Sequence, residues 1–388
     1  MGKRVKWREI GKRESAVERV RLRQEKLEKL VRKKLMNIGC FSLDPKKIEG
    51  KNLENMVGCT QVPLGIAGPL RINKRDCYLP LATTEGALVA SVNRGCKAIY
   101  ESGGGSVMVE NIGATRGPVF KVKGLREARR LVKWLEKNES RLKREAKRGE
   151  KHIELLRTAP KVVGRNVYVR FCFETDEAMG MNMVTIASEK LARLIKKSLG
   201  VECVSLSGNY CVDKKPSWLN FIEGRGKQVW AEVVIKEKRV REVLGTTPAR
   251  MLEVVRDKQW LGSIMSGSMG FNGHFANVVA AMFLATGQDM AQVVEGSLGV
   301  TTGELEGKDL YFSVYLPSLM VGIVGGGTDL GTQKEGLGIL GLDEIKKGGA
   351  LRLAEVVGGA VLAGELSLTA ALASGDLAKA HKRLGRGK

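Results

Sequence analysis

The segment over residues 118–208 alternates strand-like and helix-like patterns in an order that few folds accommodate. It begins with the alternating strand PVFKVK, followed by a long charged helix with apolar residues at helical spacing over residues 125–135. Two further strands, HIELLR and NVYVRFCF, precede a second amphipathic helix that Gly200 ends, and VECVSL closes the segment. The order β-α-β-β-α-β predicts a small ferredoxin-like module with short connections.

Glycine-rich sequence with short apolar runs lies on both sides of this module. Forty-eight glycines, with no collagen-type period, indicate many tight turns rather than a low-complexity chain. We therefore predict an α+β fold in which a large mixed α/β domain, residues 46–117 and 209–388, is interrupted by the module at residues 118–208. A basic helical segment, residues 1–45, precedes both.

The chain carries a strong excess of positive charge, with 65 Lys and Arg against 42 Asp and Glu, a net charge of +23. The excess is regional: residues 1–35 hold fourteen basic and five acidic side chains, and residues 121–151 hold thirteen and five. Such regions attract polyanions or small phosphorylated ligands. Aromatic residues make up only 5% and no nucleic-acid signature accompanies the basic runs, which argues against nucleic acid as the partner.

Cysteine usage and apolar run lengths bear on the compartment. The seven cysteines are odd in number, scattered and without metal-type spacing, which indicates neither a disulfide framework nor a metal site. The longest uninterrupted apolar stretch near a helix centre, residues 278–285, is far shorter than the roughly 20 residues of a membrane span. The N-terminus lacks the apolar core of a secretory signal. We expect a soluble, cytoplasmic protein with no membrane segment.

Four ionisable residues are candidates for chemistry, although three of them also have a purely structural explanation. Glu85 is placed in the first turn of a helix, Asp289 is placed as a helix N-cap, and His381 is an ordinary surface histidine of a short basic helix. Lys214 lies in SGNYCVDKKP, a polar segment with neither helical nor strand period. A loop so rich in amides, hydroxyls and ammonium groups predicts an anion or carbonyl site.

Three glycine-containing strings could bring a backbone close to phosphate. GSMGFNG and VGGGTDLGTQ lack the strand, GxGxxG, helix fingerprint of dinucleotide sites. AMGMNM, at the start of the module's second helix, is a better phosphate or cofactor site, because its glycine and the free amides of a helix N-terminus favour an anionic ligand. Composition and spacing thus indicate an intracellular α+β protein with an anionic ligand.

Seven strings in order along the chain go further, because together they resemble the hydroxymethylglutaryl-coenzyme A reductase family. They are ENMVGCTQVPLGIAGPL (54–70), TTEGALVASVNRGCKAI (83–99), GATRGPVF (113–120), EAMGMNM (177–183), SGNYCVDKKPSWLNFIEGRGK (207–227), GFNGHFANVVAAMFLATGQDMAQ (270–292) and VGGGTDLGTQ (324–333). The AMGMNM form resembles the biosynthetic, NADPH-using class. The resemblance implies two hydride transfers from NADPH onto hydroxymethylglutaryl-CoA, giving mevalonate and free coenzyme A for isoprenoid synthesis.

The resemblance also implies an architecture and a set of catalytic residues. Residues 118–208 would form the NADP-binding domain, and two subunits would share each active site in an obligate homodimer, with a dimer of dimers also compatible. Lys214 would stabilise the developing alkoxide. Asp289 and Glu85 would hydrogen-bond with Lys214, Glu85 would donate a proton to the aldehyde, and His381 would protonate the coenzyme A thiolate.

Further residues are implied as contacts to the two substrates. The residues implied for the acyl substrate are Arg116, Ser207, Asn209, Asp213, Lys215 and Asn272. The residues implied for NADPH are Lys151, near the 2′-phosphate, and Glu177, Met179, Gly180, Met181, Asn182, Gly325, Gly326, Gly327 and Thr328. An arginine such as Arg116 is suited to a carboxylate because its guanidinium binds both oxygens.

Three departures from the family pattern leave alternatives open. Glu177 stands where the family usually has aspartate, so its contact to the nicotinamide side is expected to be longer or indirect. The usual Ser-Arg pair is absent around Lys151, so an NADH-using degradative reductase is the nearest alternative. The serine that kinases modify in longer relatives is absent after His381. A nucleic-acid-binding protein on the same scaffold is the more distant alternative, motivated by the net charge.

Overall fold

The computed structural model describes residues 5–375. The chain starts with a 3-10 turn, Trp7–Glu9, followed by α1 (Ala16–Val31) and the short α2 (Pro45–Ile48). Ser15 caps α1 by accepting a hydrogen bond from the N–H of Glu18. The predicted basic helix is therefore confirmed. The left-handed conformation of Arg32 ends the helix after Val31.

The large domain begins with a two-stranded antiparallel sheet of β1 (Leu64–Ile72) and β2 (Arg75–Ala82). Helix α3 (Leu88–Glu101) and strand β3 (Ser106–Arg116) follow. α3 packs against β1 and against the C-terminal core helix. Because α3 begins only at Leu88, Glu85 precedes the helix and does not lie in its first turn, which corrects the sequence-based placement.

The module contains the predicted elements in the predicted order, with one additional helix. Its elements are β4 (Val119–Lys121), α4 (Leu125–Lys137), α5 (Glu139–Lys147), β5 (Glu154–Val163), β6 (Asn166–Glu174), α6 (Met181–Leu199) and β7 (Glu202–Ser205). The antiparallel strand order β7-β4-β6-β5 is that of a ferredoxin-like sheet. The long charged helix predicted from the apolar face over residues 125–135 is α4, and the additional helix is α5, which follows it after Asn138.

The remaining elements belong to the large domain. They are α7 (Trp218–Glu223), β8 (Gly226–Ile235), α8 (Glu237–Arg239), α9 (Pro248–Val254), α10 (Ser263–Ser266), β9 (Gly270–Phe271), α11 (Phe275–Thr286), α12 (Val293–Gly296), β10 (Gly299–Glu306), β11 (Asp309–Leu319), α13 (Gly331–Ile339) and α14 (Gly349–Ala373). π-helical turns span Val240–Leu244 and Val255–Gly262, and 3-10 turns span Met290–Gln292 and Gly326–Asp329.

A single nine-stranded sheet runs through both parts of the molecule in the order β7-β4-β6-β3-β8-β11-β10-β9, with β5 beside β6. Strand β3 joins the two halves, since its first part pairs with β8 and its last three residues, Ala114 to Arg116, pair with β6. Two separate apolar cores lie against this sheet, a large one around α14 and a smaller one inside the module. The mixed α/β fold with a ferredoxin-like module is confirmed. The domain bounds remain predictions.

The centre of the large core is α14, a helix of 25 residues. By length and composition it could cross a membrane, but 83% of its most apolar window is buried inside the protein. It is therefore the core helix of the large domain. Its sequence contains no long uninterrupted apolar run, because Glu365 and several glycines divide the apolar pattern, so the helix was not predicted.

Candidate functional site

A cleft of about 460 Å³ opens between the start of α6 and the glycine-rich turn near residue 326. One wall is residues 178–183 and the opposite wall is residues 324–328. Lys214 and Asp289 lie along the same cleft. The structure thus brings together the polar loop, the predicted N-cap aspartate and two of the three glycine-containing strings that the sequence analysis selected.

The α6 wall is built for close backbone approach. Gly180 precedes α6 with φ 84° and no side chain caps the helix, so its first N–H groups are free to bind a ligand. Residues 177 and 178 pair with the opposite wall: the N–H of Ile323 donates to the carbonyl of Glu177 at 2.8 Å. A Cβ at Gly322 would overlap the backbone nitrogen of Met179, so only glycine permits this approach.

The opposite wall is a 3-10 turn with exposed glycines. Gly325 and Gly326 have φ of 79° and 61°, and no atom lies within 4 Å of the Cβ position of either. Two residues between α2 and β1 anchor the turn: the side chain of Asn52 donates to the carbonyl of Gly326 at 2.9 Å, and Lys51 pairs with Asp329. The turn therefore presents a bare backbone surface to the cleft.

Lys214 and Asp289 form a salt bridge beside these walls, with 2.7 Å between Nζ and Oδ2. The other oxygen of Asp289 accepts the N–H of Ala291 at 3.0 Å and so caps the turn Met290–Gln292. One oxygen thus makes the predicted N-cap contact, and the other makes the contact with Lys214 that the resemblance implies. The ammonium group of Lys214 stays partly exposed to the cleft, where it can meet a carbonyl oxygen.

The backbone that carries Lys214 is held in an unusual conformation. Within six residues, Asn209, Val212 and Lys214 have φ of 61°, 50° and 59°. Left-handed backbone is uncommon outside glycine and is a marked outlier for a β-branched residue such as Val212. Such conformations persist only where the surroundings enforce them, and they concentrate at functional sites.

A buried ionic network lies beneath this loop and was not anticipated from the sequence. Glu295 is completely buried and accepts the backbone N–H of Lys214. Arg225, also completely buried, donates to both oxygens of Glu295 at 2.8 Å and to Asp213 at 3.1 Å. Burial raises the pKa of Glu295, although Arg225 and the Lys214 amide oppose that shift. Glu295 follows two valines, and nothing in that local pattern marks it.

Glu85 lies elsewhere in this chain, where its carboxylate accepts a hydrogen bond from the side chain of Asn277 at 2.8 Å. Within residues 5–375 no hydrogen bond or salt bridge joins Glu85 to Lys214. Asn277 is a residue that sequence reasoning missed as a site candidate. Its signal was weak but present: it is the one amide in the otherwise apolar helix α11.

The residues predicted for the acyl substrate divide into two groups. Asp213 and Arg116 lie at the loop, 3.5 Å apart at their closest atoms, and the Nε of Arg116 is buried without a hydrogen-bond partner. Asn272 instead makes its hydrogen bonds outside the loop: its side chain donates to the carbonyl of Ser297 and accepts the N–H of Phe275. The remaining three, all exposed, lie in the loop itself: Ser207, Asn209 and Lys215.

Two residues predicted for NADPH lie away from the cleft. The carboxylate of Glu177 caps the start of α14, accepting the N–H groups of Gly348 and Ala350. Both of its oxygens are therefore already hydrogen-bonded within the protein. Lys151 lines a separate cavity of about 360 Å³ together with Lys147 and Lys347. The cleft itself is lined by the others: Met179, Gly180, Met181, Asn182, Gly325, Gly326, Gly327 and Thr328. His381 lies outside the described residues.

Comparison with known proteins identifies the family to which the chain belongs. The family model for hydroxymethylglutaryl-coenzyme A reductase matches residues 19–386. The chain is 51% identical over 375 residues to 3-hydroxy-3-methylglutaryl-coenzyme A reductase of Methanocaldococcus jannaschii, covering 94% of this chain and 92% of that protein. It is 47% identical over 390 residues to the enzyme of the same name from Methanothermobacter thermautotrophicus, covering 99% and 98%.

A solved structure supports the fold. The NADPH-bound class II 3-hydroxy-3-methylglutaryl-CoA reductase of Streptococcus pneumoniae aligns with a TM-score of 0.66 at 17% identity, covering 95% of this chain and all of that one. At this identity the likeness concerns the fold alone. The family match and the two archaeal relatives, by contrast, extend over nearly the whole sequence. The chain therefore belongs to the hydroxymethylglutaryl-coenzyme A reductase family.

Proposed function

We propose that this oxidoreductase converts (S)-3-hydroxy-3-methylglutaryl-CoA to mevalonate and free coenzyme A, using two molecules of NADPH. The observation that carries the proposal is the Lys214 to Asp289 salt bridge at the edge of the glycine-lined cleft. A partly exposed ammonium beside a seat for an anionic cofactor is what carbonyl reduction requires. The biosynthetic direction and the mevalonate pathway rest on the AMGMNM string and on family membership.

The chain's residues would act on the substrate in two stages. In the first, hydride adds to the thioester carbon, negative charge develops on the carbonyl oxygen, and the Lys214 ammonium stabilises that charge. The carbon–sulfur bond then breaks, coenzyme A leaves as a thiolate and an aldehyde remains. In the second, another hydride and a proton convert the aldehyde to the alcohol. Asp289 holds the ammonium in position throughout by its salt bridge.

Two proton donors complete the scheme. Glu85 would donate a proton to the aldehyde oxygen, and His381 would protonate the coenzyme A thiolate so that it cannot attack the aldehyde. Because Glu85 contacts Asn277 and not Lys214 in this chain, we propose that each site combines Lys214 and Asp289 of one copy with Glu85 of a second copy. The protein would then be an obligate homodimer. Assembly of two such dimers into a dimer of dimers is compatible with this proposal.

The residues of the cleft fit a reduced nicotinamide dinucleotide, which supplies the hydride when bound. Bare glycine backbone at residues 325 and 326 and the uncapped start of α6 suit its phosphates. Lys151, with Lys147 and Lys347 nearby, is the candidate for the extra 2′-phosphate of NADPH. Glu174 and Asp176 line the same cavity, and their negative charge would repel a 2′-phosphate. NADH, which lacks that phosphate, is therefore a genuine competitor. All seven cysteines are free thiols, which supports a cytoplasmic location.

The test follows absorbance of the reduced nicotinamide after adding hydroxymethylglutaryl-CoA, with NADPH and NADH compared at equal concentration. We expect faster oxidation of NADPH, with two molecules consumed per mevalonate formed. Faster oxidation of NADH would favour the degradative alternative. No oxidation of either, combined with tight and salt-dependent association with nucleic acid, would favour the binding-protein alternative that the net charge of +23 suggests.

A further inference from the structure

We infer that the buried pair Glu295 and Arg225 positions the Lys214 ammonium for the reaction, an inference that rests on the function proposed above. Neither side chain reaches the cleft surface, since both are completely buried. They are therefore positioning residues that act through Lys214. The inference stands on three independent contacts, each to a different part of the site.

The first contact is to Lys214 itself. One oxygen of Glu295 accepts the Lys214 backbone N–H, at the residue whose φ is 59°. The same carboxylate accepts the side-chain amide of Asn220 at 3.2 Å, and Asn220 also donates to the carbonyl of Val212, whose φ is 50°. Both left-handed residues nearest the ammonium are thus held by one buried carboxylate and its amide partner.

The second contact reaches the turn that carries Asp289. Arg225 donates to the side-chain carbonyl of Gln292 at 3.2 Å, and the Gln292 amide donates to Asp213 at 2.9 Å. Gln292 ends the short turn that Asp289 caps, so Arg225 links the two chain segments whose side chains form the salt bridge. Displacement of Arg225 would change the separation of Lys214 and Asp289.

The third contact reaches the cofactor wall. The guanidinium of Arg225 lies 2.9 Å from the sulfur of Met181, the first residue of α6, and its Nε donates to Thr115 beside Arg116. The Arg225 side chain therefore touches the loop that carries Lys214, the turn that Asp289 caps, the start of α6 and the end of β3. A buried ion pair seldom adds net stability over apolar residues of the same volume, so fixing geometry is the better explanation for its presence.

The deciding variant is Glu295→Gln in the full-length protein. It keeps the size of the side chain but removes the charge opposite Arg225 and one acceptor oxygen. A misplacement of about 1 Å at a reacting group can cost about 10²-fold in rate. We expect kcat to fall by about that factor while KM for the thioester and for NADPH stays unchanged. If this variant does not fold, Glu295→Asp replaces it, because the shorter acid keeps the charge beside Arg225 but withdraws from Lys214.

The matched control is Glu355→Gln. Glu355 is also largely buried and charge-paired: it forms a salt bridge with Arg352 and accepts a hydrogen bond from the side chain of Asn73. Within residues 5–375 no hydrogen bond or salt bridge joins it to the residues that line the cleft. We expect its kcat to be unchanged, with Tm recorded for every variant. The inference is overturned if Glu295→Gln keeps the wild-type kcat, if only KM changes, or if kcat falls merely in proportion to the folded fraction. If the wild-type chain reduces hydroxymethylglutaryl-CoA with neither NADPH nor NADH, the proposed function is overturned and this inference with it.

Discussion

Asp289 uses its two carboxylate oxygens for different contacts, one to the N–H of Ala291 and one to the Lys214 ammonium. The variant Asp289→Asn keeps an acceptor for the cap and removes the charge beside Lys214. Loss of one electrostatic contact to a developing oxyanion costs about 10²–10³-fold in kcat. We therefore expect a drop of that size, measured as initial rate of NADPH oxidation, with little change in Tm.

The chain offers a control with the same geometry. Asp309 also binds a lysine with one oxygen, Lys236 at 2.6 Å, and a backbone N–H, that of Glu237 at 3.0 Å, with the other. It lies on β11 away from the cleft, so Asp309→Asn should leave kcat unchanged. Equal losses in the two variants would mean that the Asp289 effect is structural and would contradict its catalytic role.

At the level of single residues, what could be predicted depended on whether the contact partner was local. Lys214 was flagged by the polar loop around it, and the cap at Asp289 follows from its neighbours. Glu295 could not be found this way, because the groups it serves, Lys214 and Arg225, lie 81 and 70 positions away. The same holds for Asn277 and Glu85, which are 192 positions apart.

Close packing of two elements across the cleft gives a prediction at the next scale. Gly322 follows β11 and faces the backbone of Met179 at the start of α6. Gly322→Ala would push the cofactor wall outward, and overpacking of this kind costs about 1–3 kcal/mol. We expect KM for NADPH to rise by about tenfold, since 1.4 kcal/mol is a factor of ten. Steady-state kinetics with NADPH as the varied substrate would measure it.

A second glycine separates the steric effect from the mere addition of a methyl group. Gly124 precedes α4, and a Cβ there would have no atom within 4 Å. Gly124→Ala should therefore leave KM for NADPH unchanged. If Gly322→Ala also leaves it unchanged, residues 178–182 do not form the cofactor wall that we propose.

Docking of α1 onto the body should depend on pH through Glu49. Burial opposes the charged form of Glu49, but hydrogen bonds from Arg23 and Arg19 outweigh it and hold the pKa of this carboxyl below its usual value of 4.5. Above pH 4.5 the charged form stabilises the folded state. As pH falls below 4.5 the unfolded chain binds the proton first and that stabilisation is lost.

The measurement compares the free energy of unfolding of wild type and Glu49→Gln between pH 7 and pH 3.5. We expect the wild type to be more stable at pH 7 and the difference to shrink as pH falls. Glu25→Gln is the control, because Glu25 makes only an exposed pair with Arg21 on the same helix, and such pairs contribute little. A difference that stays constant with pH would show that Glu49 stabilises the fold by some other means.

Elements were predictable where amphipathic periodicity was uninterrupted. The module follows its pattern closely, with α6 ending at Gly200 as expected. α4 covers the apolar face over residues 125–135 that the sequence indicated, whereas α5 was not assigned in advance. Strands β3 and β8 were not assigned in advance, because pairing between distant strands leaves no local signal beyond a short apolar run.

For the whole molecule, the arrangement of β3 explains why the site forms where it does. This strand belongs to both halves of the sheet, and its last residues, Thr115 and Arg116, lie where the module meets the large domain. Arg225 fills the junction and touches Thr115. The segments that carry Lys214 and Asp289 are therefore both bonded to Arg225 at this junction, through Asp213 and Gln292, whereas Glu85 is bonded to Asn277 of α11.

That separation leads to a prediction about two copies of the chain. If each site takes Lys214 and Asp289 from one protomer and Glu85 from the other, co-expressed Glu85→Gln and Lys214→Ala chains should complement each other. In a mixed dimer one site carries both defects and the other carries neither. Random pairing makes about half of the dimers mixed, so about a quarter of wild-type activity should return. NADPH oxidation by the purified mixture would measure it.

The control pairs two defects that lie on the same protomer. Lys214 and Asp289 are joined by a salt bridge within one chain, so co-expressed Lys214→Ala and Asp289→Asn chains leave every site with one defect. That mixture should be no more active than its parents. Complementation in the control as well, or in neither mixture, would contradict a site shared in this way. Glu85 would then have to reach Lys214 within one chain.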